Sequence, residues 1–452
     1  MNTYAVILAA GESKRFFTNY PKVLHPILGR PMLEYVLESV EKVKFSPQSI
    51  WIVINSKGEK IKEQFKDRAN FVLQDPPRGT GDAVNTALKA IKGKGDVLIL
   101  CGDTPLLSSE ILKQLLDVHM KSNNTITFLS ACLADPSSYG RVIRDKRNKV
   151  IKIVEEQDAT LEEKQTREIN VGVYCMNKNV LEEFLPLLEA NNKQGEYYLP
   201  DVINKALESN LKVEAVVTPD IEAALGVNTR KDLALVTEIL RRKINENWML
   251  RGVTLMDPGS IFIDYMVNIE RDTVIYPCTL IEGNTSIGAG CIIGPFTRII
   301  NSKIGNRVKI EASTVEGSII DEFVTIGPYA HLRPDTYLHQ NVKIGNFVEV
   351  KKSVIEEGTK ASHLSYIGDA TIGANVNIGA GTITCNYDGK KKNPTIIKER
   401  AFIGSNTALV APVIVGKGAC TGAGAVVTKD IPDYTLVVGV PARKLKELKE
   451  EA

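Results

Sequence analysis

The sequence lacks any long apolar segment and any cysteine pattern that builds a structural site. None of its apolar runs approaches the roughly 18 residues that a membrane-spanning helix needs, so we expect no membrane insertion. The first apolar run follows no basic segment, and we interpret it as a core strand rather than a signal peptide. The seven scattered cysteines contain no C-x-x-C motif, and they are Cys101, Cys132, Cys175, Cys278, Cys291, Cys385 and Cys420. This odd set argues against a disulfide scaffold and a zinc site, and predicts a cytoplasmic location.

A marked excess of one charge is also absent. The 452 residues carry a net charge of +2 at pH 7, which gives no strong attraction to nucleic acid or to an anionic membrane. We therefore expect small-molecule substrates and no nucleic-acid partner. The hydrophobic fraction of 43% is ordinary for a globular protein. The length predicts two or three domains.

Residues 1–228 alternate short apolar runs with helical patterns. The runs that resemble strands lie at 4–9, 49–54, 70–74, 96–101, 125–131, 171–176 and 212–217. Helical patterns such as Met32–Lys42 and Ser108–Lys121 lie between them, which predicts a mainly parallel sheet covered on both faces. Residues 229–252 follow as a predicted linker helix, in which apolar residues recur at helical spacing until Gly252.

Residues 253–452 follow a hexapeptide rule instead. Positions 403, 409, 415, 421 and 427 hold one register six residues apart, and related hexads begin at 287, 293, 304, 326, 372 and 378. Hexads of this kind predict a parallel β-helix in which each hexad forms one face of a triangular coil. The register breaks over the thirteen residues TCNYDGKKKNPTI, from Thr384 to Ile396, which we expect to loop out. A functional loop and a tolerated surface insertion fit this break equally well.

Two familiar phosphate loops are missing from the turn after the first strand. LAAGESKRF (8–16) is neither G-x-x-x-x-G-K-[ST] nor G-x-G-x-x-G. It still places Gly11 at the carboxyl edge of the predicted sheet, where α/β proteins bind ligands, with Arg15 and Lys22 following as candidate phosphate partners. An ordinary turn with solvated cations explains the pattern as well.

Three further segments are candidates for the same edge. LCGDTPLL (100–107) places Asp103 just after a strand, where a carboxylate suits Mg²⁺ or caps a helix. LQDPPRGTGDA (73–83) is a second glycine-rich loop, and GVN (226–228) places an amide oxygen before the linker helix. Each is weak alone, and together they favour a nucleotide site.

At this point the sequence resembles the sugar-nucleotide pyrophosphorylases. LAAGESKRF, PKVLHPILGRPM and GDTPLL are similar to that family's signature segments. The hexad half extends the resemblance to the family of bacterial bifunctional N-acetylglucosamine-1-phosphate uridylyltransferase / glucosamine-1-phosphate N-acetyltransferase enzymes. The most specific segments are EINVGVY (168–174), GEYYLPD (195–201), NFVEVKKS (346–353), ASHLSYIGDA (361–370) and NIGAGTITCNYDG (377–389).

The resemblance implies an α/β fold, with a Rossmann-like nucleotidyltransferase domain and a left-handed parallel β-helix. It implies that Arg15 and Lys22 act on the phosphates and that Asp103 and Asn228 hold Mg²⁺. The implied nucleotide and sugar contacts are Leu8, Ala9, Ala10, Gly11, Lys22, Gln74, Gly79, Thr80, Gly140, Glu155, Asn170 and Asn228. One departure is Pro77, which stands where the family usually has a second base-reading glutamine, so base discrimination is expected to rest on Gln74 and backbone groups.

For the β-helix, the resemblance implies an acetyl-CoA-dependent acetyltransferase in which His363 is the general base. The implied glucosamine 1-phosphate contacts are Arg333, Lys351, Tyr366, Asn377 and Lys392, and the implied acetyl-CoA contacts are Ala380, Asn386, Tyr387, Ser405 and Ala423. The chain departs from some members at Gly439, where an arginine contacts CoA, and Arg443 or Lys444 is a candidate substitute. The family also implies a homotrimer built on the β-helix.

The residues alone leave three functions open. A bifunctional enzyme would acetylate glucosamine 1-phosphate and then transfer UMP from UTP to the product, with Mg²⁺ as cofactor. A single-activity pyrophosphorylase would keep the β-helix as a regulatory post, and a binding scaffold would catalyse neither step. Asp103 with Asn228 argues against the scaffold, and His363 with Asn386 and Tyr387 argues against the single activity.

Overall fold

The computed structural model describes residues 3–12, 14–137 and 139–449. The chain divides into two compact units, Met1–Ile239 and Leu240–Ala452. The division falls inside one long helix, Arg230–Leu250, so both units share that helix. The boundaries that the sequence predicts, at 228 and 252, stay predictions.

The first unit is built on a nine-stranded sheet with a separate two-stranded pair. The strands are β1 Thr3–Leu8, β2 Pro26–Ile27, β3 Arg30–Pro31, β4 Ile50–Ile54, β5 Asn70–Leu73, β6 Asp96–Cys101, β7 Ile126–Cys132, β8 Arg141–Arg144, β9 Val150–Val154, β10 Glu168–Asn177 and β11 Val213–Val217. The main path runs β11–β7–β10–β6–β1–β4–β5, and β8 and β9 attach through β10. Strand β10 runs antiparallel to β6 and β7, while β1, β4, β5 and β6 are parallel. The predicted α/β class is confirmed.

Helices cover both faces of this sheet. They are α1 Met32–Lys42, α2 Glu59–Phe65, α3 Thr80–Ala90, α4 Ser109–Lys121, α5 Lys178–Phe184 and α6 Pro200–Glu208. The last helix, α7 Arg230–Leu250, follows the sheet in the chain. Two apolar clusters, one on each side of the sheet, bury alternate residues of β1: Ala5 and Ile7 in one, Val6 in the other. Burial on both faces explains why β1 reads as a continuous apolar run.

The start of α4 settles one alternative for Asp103. Ser108 is the N-cap of this helix, and its hydroxyl accepts from the Ile111 backbone N–H. Asp103 lies upstream of that cap, so it is not the capping residue of α4.

The second unit is a parallel β-helix with three faces. The first face contains Thr254–Leu255, Val274–Ile275, Ile292–Ile293, Lys309–Ile310, Thr325–Ile326, Asn377–Ile378, Phe402–Ile403, Cys420–Thr421 and Thr435–Val438, with Arg443–Glu447 antiparallel at its end. The second contains Phe262–Ile263, Leu280–Glu282, Arg298–Ile300, Thr314–Glu316, His331–Leu332, Ile383–Cys385, Ala408–Val410 and Val426–Val427. The third contains Asn268–Ile269, Ser286–Ile287, Lys303–Ile304, Ile319–Ile320, Tyr337–Leu338, Val354–Ile355, Ala370–Ile372, Thr395–Ile397 and Val413–Val415.

Two longer strands, Lys343–Lys351 and Lys360–Gly368, turn the corner from the first face to the second. Their Ile344 and Ala361 pair in the first face, whereas Glu349 and Tyr366 pair in the second. His363 therefore lies at the corner between these faces.

The hexad residues fill the interior as predicted. Ile403, Leu409, Val415, Thr421 and Val427 are all buried, and the four aliphatic members belong to one continuous apolar core. Aliphatic side chains of successive coils stack on each other, so burial of this column supplies the stability of the solenoid. The handedness of the coil stays a prediction.

The register break does leave the coil. One strand ends at Cys385 and the next begins at Thr395 on the third face. Between them Tyr387 is exposed, while Asn386 and Asn393 are buried at the base of the loop. We call residues 386–394 the 386–394 loop.

Candidate active sites

The first candidate site begins at the turn after β1. The backbone N–H of Ala9 donates to Val53 in β4 at 2.9 Å, and the N–H of Gly102 donates to Leu8 at 2.9 Å. These bonds seat the turn between its two neighbouring strands at their carboxyl ends. No described atom lies within 4 Å of a Cβ built on Gly11, so the space beside that residue is open to a ligand.

The cations and the proposed metal ligands meet at this turn. Lys22 Nζ lies 2.6 Å from Asp103 Oδ2, and Arg15 Nη2 donates to Asn228 Oδ1 at 3.0 Å. The Val227 N–H donates to the Asp103 carbonyl at 2.9 Å, which brings Asn228 beside Asp103. Four residues spread over more than 200 positions of the sequence thus converge on one point.

The oxygen donors of this cluster fit Mg²⁺. Mg²⁺ prefers oxygen ligands and commonly binds through one or two protein groups, waters and substrate phosphates. The Asp103 carboxylate and the Asn228 amide supply two such oxygens. Within residues 3–12, 14–137 and 139–449, no three His, Cys, Asp or Glu side chains gather into a cation cage. The chemistry therefore fits a metal shared with a phosphate substrate.

Cys101 lies beside this cluster, and its thiol feels the charge of Asp103. Burial, together with the charge of Asp103, raises the pKa of its thiol to about 12. The thiolate is the reactive form of cysteine, and at neutral pH Cys101 is a thiol.

The glycine-rich loop is attached to a distant segment. The Gln74 amide donates to the Gly79 carbonyl at 3.1 Å and to Asp82 Oδ2 at 2.8 Å. Thr80 Oγ1 accepts from the Leu199 N–H at 3.0 Å, inside the segment GEYYLPD. Gly79 has φ = 109°, and a Cβ there would come within 2.6 Å of the Tyr197 carbonyl oxygen. Only glycine meets both constraints.

The three predicted sugar contacts lie together. A Cβ built on Gly140 would lie 3.1 Å from Glu155 Oε1, and the Asn170 N–H donates to the Gly140 carbonyl at 2.9 Å. Asn170 is buried and donates to the Tyr174 hydroxyl at 2.7 Å. Burial, followed by the charges of Asp201 and Asp158, raises the pKa of Glu155 to about 7.

Asn55 is a site residue that the sequence interpretation missed. Its side-chain amide donates to the Ala10 carbonyl at 2.9 Å, so it fixes the first turn from the end of β4. It also lines the cleft formed by Leu8, Ala9, Lys22 and Asp103. A polar residue directly after a predicted strand was the available signal, the same one that pointed to Asp103.

In the β-helix, the predicted phosphate contacts form a cation cluster. The pKa of Lys351 is lowered from its usual value. Contact with Lys392 is the largest cause and burial comes second, and the charge of Arg333 acts in the same direction. Arg333 also donates to Glu349 Oε1 at 3.0 Å, a partner that the sequence interpretation missed. Three cations that act on one another favour an anionic ligand such as a phosphate.

Tyr366 and Asn386 lie beside these cations. Asn386 Nδ2 lies 3.4 Å from the Tyr366 hydroxyl. A Cβ on Gly368 would come within 2.5 Å of that hydroxyl and 2.7 Å of the Asn386 amide nitrogen. Gly368 therefore leaves the space in which the two side chains meet.

The proposed base and the acetyl-CoA contacts form a column along one corner. His363 is exposed there. Backbone bonds of 2.7–2.8 Å join Gly381 to Leu364, Asn406 to Ala380 and Gly424 to Ser405. Those bonds stack the short segments that contain His363, Ala380, Ser405 and Ala423 on successive coils. Small residues above a histidine leave a groove that suits a thin, extended ligand.

Asn377 lies on a different face from the other predicted sugar-phosphate contacts, and Lys444, a candidate CoA contact, is ion-paired. Asn377 lies on the first face, paired with Lys360 and Phe402, and not on the face of Lys351 and Tyr366. Of the candidate substitutes for a CoA-binding arginine, Lys444 lies 2.6 Å from Glu447. The roles of all these site residues stay predictions.

Known proteins are similar to this chain over nearly its whole length. Residues 5–140 match the MobA-like NTP transferase domain. The Bifunctional protein GlmU of Halalkalibacterium halodurans is 45% identical over 447 residues, covering 99% of this chain and 98% of the relative. The Thermotoga maritima protein of the same name is 48% identical over 443 residues, covering 98% and 97%. That of Clostridioides difficile is 44% identical over 447 residues, covering 99% and 97%.

This chain belongs to the GlmU family of bifunctional proteins. Membership confirms the predicted bifunctional enzyme, with pyrophosphorylase and acetyltransferase activities in UDP-N-acetylglucosamine synthesis. It favours the first of the three functions left open by the residues. Nucleotide and acetyl-CoA substrates belong to the GlmU family. Among the described residues, no helix has the length and apolar character for crossing a membrane.

Proposed function

We propose that the sheet unit transfers UMP and that the β-helix transfers the acetyl group. The observation that carries the first assignment is the pairing of Lys22 with Asp103 and of Arg15 with Asn228 at one strand edge. The cation cluster of Arg333, Lys351 and Lys392 carries the second. In both clusters, cationic side chains already lie together where the phosphate of a substrate would bind.

In uridylyl transfer, a phosphate oxygen of N-acetylglucosamine 1-phosphate attacks the α-phosphorus of UTP. The bond to the β-phosphate breaks, and pyrophosphate leaves with the electron pair. Lys22 and Arg15 hold phosphate oxygens and offset the charge that builds on the leaving group. Mg²⁺, held by Asp103 and Asn228 when bound, would neutralise phosphate charge as a Lewis acid.

Base and sugar are recognised on either side of that reaction centre. Because the Gln74 amide nitrogen already donates to Gly79 and Asp82, its carbonyl oxygen is the group that would accept the uracil N3–H. Gly140, Glu155 and Asn170 would hold the acetylated sugar. Glycine at position 140 leaves the space next to Glu155 in which a sugar hydroxyl fits.

In acetyl transfer, the amine of glucosamine 1-phosphate attacks the thioester carbon of acetyl-CoA. The carbon–sulfur bond breaks, and the thiolate leaves with its electron pair. His363 takes the proton that the amine loses, since an unperturbed imidazole has a pKa of about 6.5 and serves as a base near neutrality. Arg333, Lys351 and Lys392 hold the sugar phosphate, and the corner column of Ala380, Ser405 and Ala423 admits acetyl-CoA.

We further propose a cytoplasmic homotrimer. One corner of the β-helix exposes the apolar side chains of Phe296, Tyr329, Phe347 and Leu364, each 60–70% exposed. Tyr329 and Phe347 stack with ring centroids 5.4 Å apart, and Leu364 directly follows His363. A second copy that covers this stripe would complete the site of His363. The seven unpaired cysteines support a reducing compartment.

An assay of the purified protein tests the proposal. It supplies glucosamine 1-phosphate, acetyl-CoA, UTP and Mg²⁺, and omits each in turn. UDP-N-acetylglucosamine should form only with all four present. Added N-acetylglucosamine 1-phosphate should remove the need for both glucosamine 1-phosphate and acetyl-CoA, while UTP and Mg²⁺ stay essential. Product without acetyl-CoA or N-acetylglucosamine 1-phosphate would contradict the order of the two reactions.

A further inference from the structure

The 386–394 loop is fastened to the coil at both ends by one residue, Asp369. The Asp369 carboxylate accepts from the Asn386 amide at 2.5 Å, at the point where the loop leaves the second face. The Asp369 carbonyl accepts from the Thr395 N–H at 3.1 Å, at the point where the loop returns. One residue therefore spans the whole opening of the loop.

Asp369 is joined to the phosphate contacts as well. Its own N–H donates to the Lys351 carbonyl at 3.0 Å, in the preceding coil. Its negative charge acts on the Lys351 ammonium and opposes the effect of Lys392 on that group. The carboxylate thus stands between the cation cluster and the loop.

The backbone around Asp369 is shaped for this contact. Asp369 has φ = 50°, a left-handed conformation that aspartate tolerates better than most residues. Gly368 next to it leaves room for the Asn386 side chain. The strained corner and the small neighbour aim the carboxylate at Asn386.

We infer that Asp369 is a positioning residue for acetyl transfer, which places Asn386 and couples the phosphate subsite to the loop. This inference rests on the proposed acetyltransferase function of the β-helix. Asp369 itself need not touch substrate, because it acts through Asn386. A charge-assisted hydrogen bond is stronger than a neutral one and fixes its partner more firmly.

The test is a double-mutant cycle in the full-length protein. Asp369→Ala should lower kcat for acetyl transfer by about 10- to 100-fold and raise KM for acetyl-CoA, because Asn386 loses its acceptor. Asn386→Ala should cost at least as much. Since Asp369 acts through Asn386, the double variant should be no worse than Asn386→Ala, whereas independent roles would multiply. Asp369→Asn keeps an acceptor oxygen and should recover part of the loss.

Asp335→Ala is the matched control. Asp335 occupies the same corner two coils earlier, is exposed, and has φ = 63°, so it carries the same backbone strain on substitution. It should stay within twofold of the parent protein. Uridylyl transfer should be unchanged in every variant, which reports on an intact sheet unit, and an unchanged thermal unfolding profile of the β-helix reports on its fold.

Three results would overturn the inference: Asp369→Ala within twofold of the parent, multiplicative losses in the double variant, or an equal loss in Asp335→Ala. If the parent protein shows no acetyl transfer at all, the proposed function fails instead. The two failures are therefore distinguishable from one set of assays.

Discussion

The two units gather the residues of their proposed phosphate sites in opposite ways. In the sheet unit, Lys22 reaches Asp103 across 81 positions of the chain, and Arg15 reaches Asn228 across 213. In the β-helix, Arg333, Lys351 and Gly368 follow one another on successive coils of the second face. A sheet gathers residues at strand ends through long-range pairing, whereas a solenoid aligns them by its period. The comparison predicts that the two sites fail independently.

The largest expected effect falls on the sheet unit alone. Asp103→Ala removes a carboxylate that fits Mg²⁺ and the partner of Lys22. Loss of several kcal/mol of charge stabilisation should lower uridylyl transfer by about 10³- to 10⁴-fold, while acetyl transfer stays normal. Separate assays of both reactions measure this. Asp117→Ala, at a half-exposed helix position where the carboxylate pairs with Lys121, is the control. A parallel loss of both activities in a folded variant would refute the independence of the sites.

The reciprocal test falls on the β-helix. His363→Ala should lower kcat for acetyl transfer by about 10²- to 10⁴-fold, the usual cost of losing a positioned base. KM for glucosamine 1-phosphate should change little, because the cation cluster remains. Raising the pH should partly rescue the variant, since hydroxide then deprotonates the amine. A variant within threefold of the parent at pH 7 would remove His363 from the mechanism.

The contrast between a periodic β-helix and a sheet built by long-range pairing also determines how much of each unit could be predicted from the sequence. The interior positions of the β-helix and the place of its loop were predictable, because the period is local and visible in one chain. The sheet strands were predictable from their apolar runs. The hairpin of β8 and β9 was missed, since its mixed sequence lacks such a run. The contact of Asn55 with Ala10 was missed too, because pairing across the sheet is invisible to periodicity.

The assignment of roles came from resemblance rather than from spacing. Nothing in the hexad period distinguishes Lys351 from an ordinary outward-facing lysine. The structure adds that Lys392 and Arg333 act on it. Charge partners such as Glu349 and Asp369 were not predictable, because they depend on which outward side chains stack on neighbouring coils.

A smaller effect is expected on stability, and again on one unit. A Cβ on Gly404 would come within 2.4 Å of the Thr421 carbonyl oxygen in the next coil. Gly404→Ala should therefore force adjacent coils apart and destabilise the β-helix by about 1–3 kcal/mol. Thermal unfolding should show this, and acetyl transfer should decline at a lower temperature while uridylyl transfer persists. Gly424→Ala is an instructive comparison, because its added Cβ meets no described atom within 4 Å and only its φ of 72° resists substitution. Equal unfolding temperatures for Gly404→Ala and the parent would contradict the tight packing of coils.

The smallest expected effect concerns Glu155. Burial, and then the charges of Asp201 and Asp158, raise its pKa to about 7 from the 4.5 of a free glutamate side chain. Between these two values the folded protein binds more protons than the unfolded chain, so stability should fall as pH rises through that window. Above about pH 7 the carboxylate is charged in both states, and the cost stays constant. Glu155→Gln removes this cost and should raise Tm at pH 8 but not at pH 4.5.

Glu162→Gln, at an exposed position, serves as the control and should leave Tm unchanged at both pH values. Glu155→Gln should also raise KM for N-acetylglucosamine 1-phosphate. The reason is that its amide group donates a hydrogen bond where a sugar hydroxyl needs an acceptor. Acetyl transfer should not respond, since Glu155 belongs to the sheet unit. A Tm that rises equally at pH 4.5 and pH 8 would show that shape rather than charge makes Glu155 costly, and the sugar site would then have no titrating group in this range.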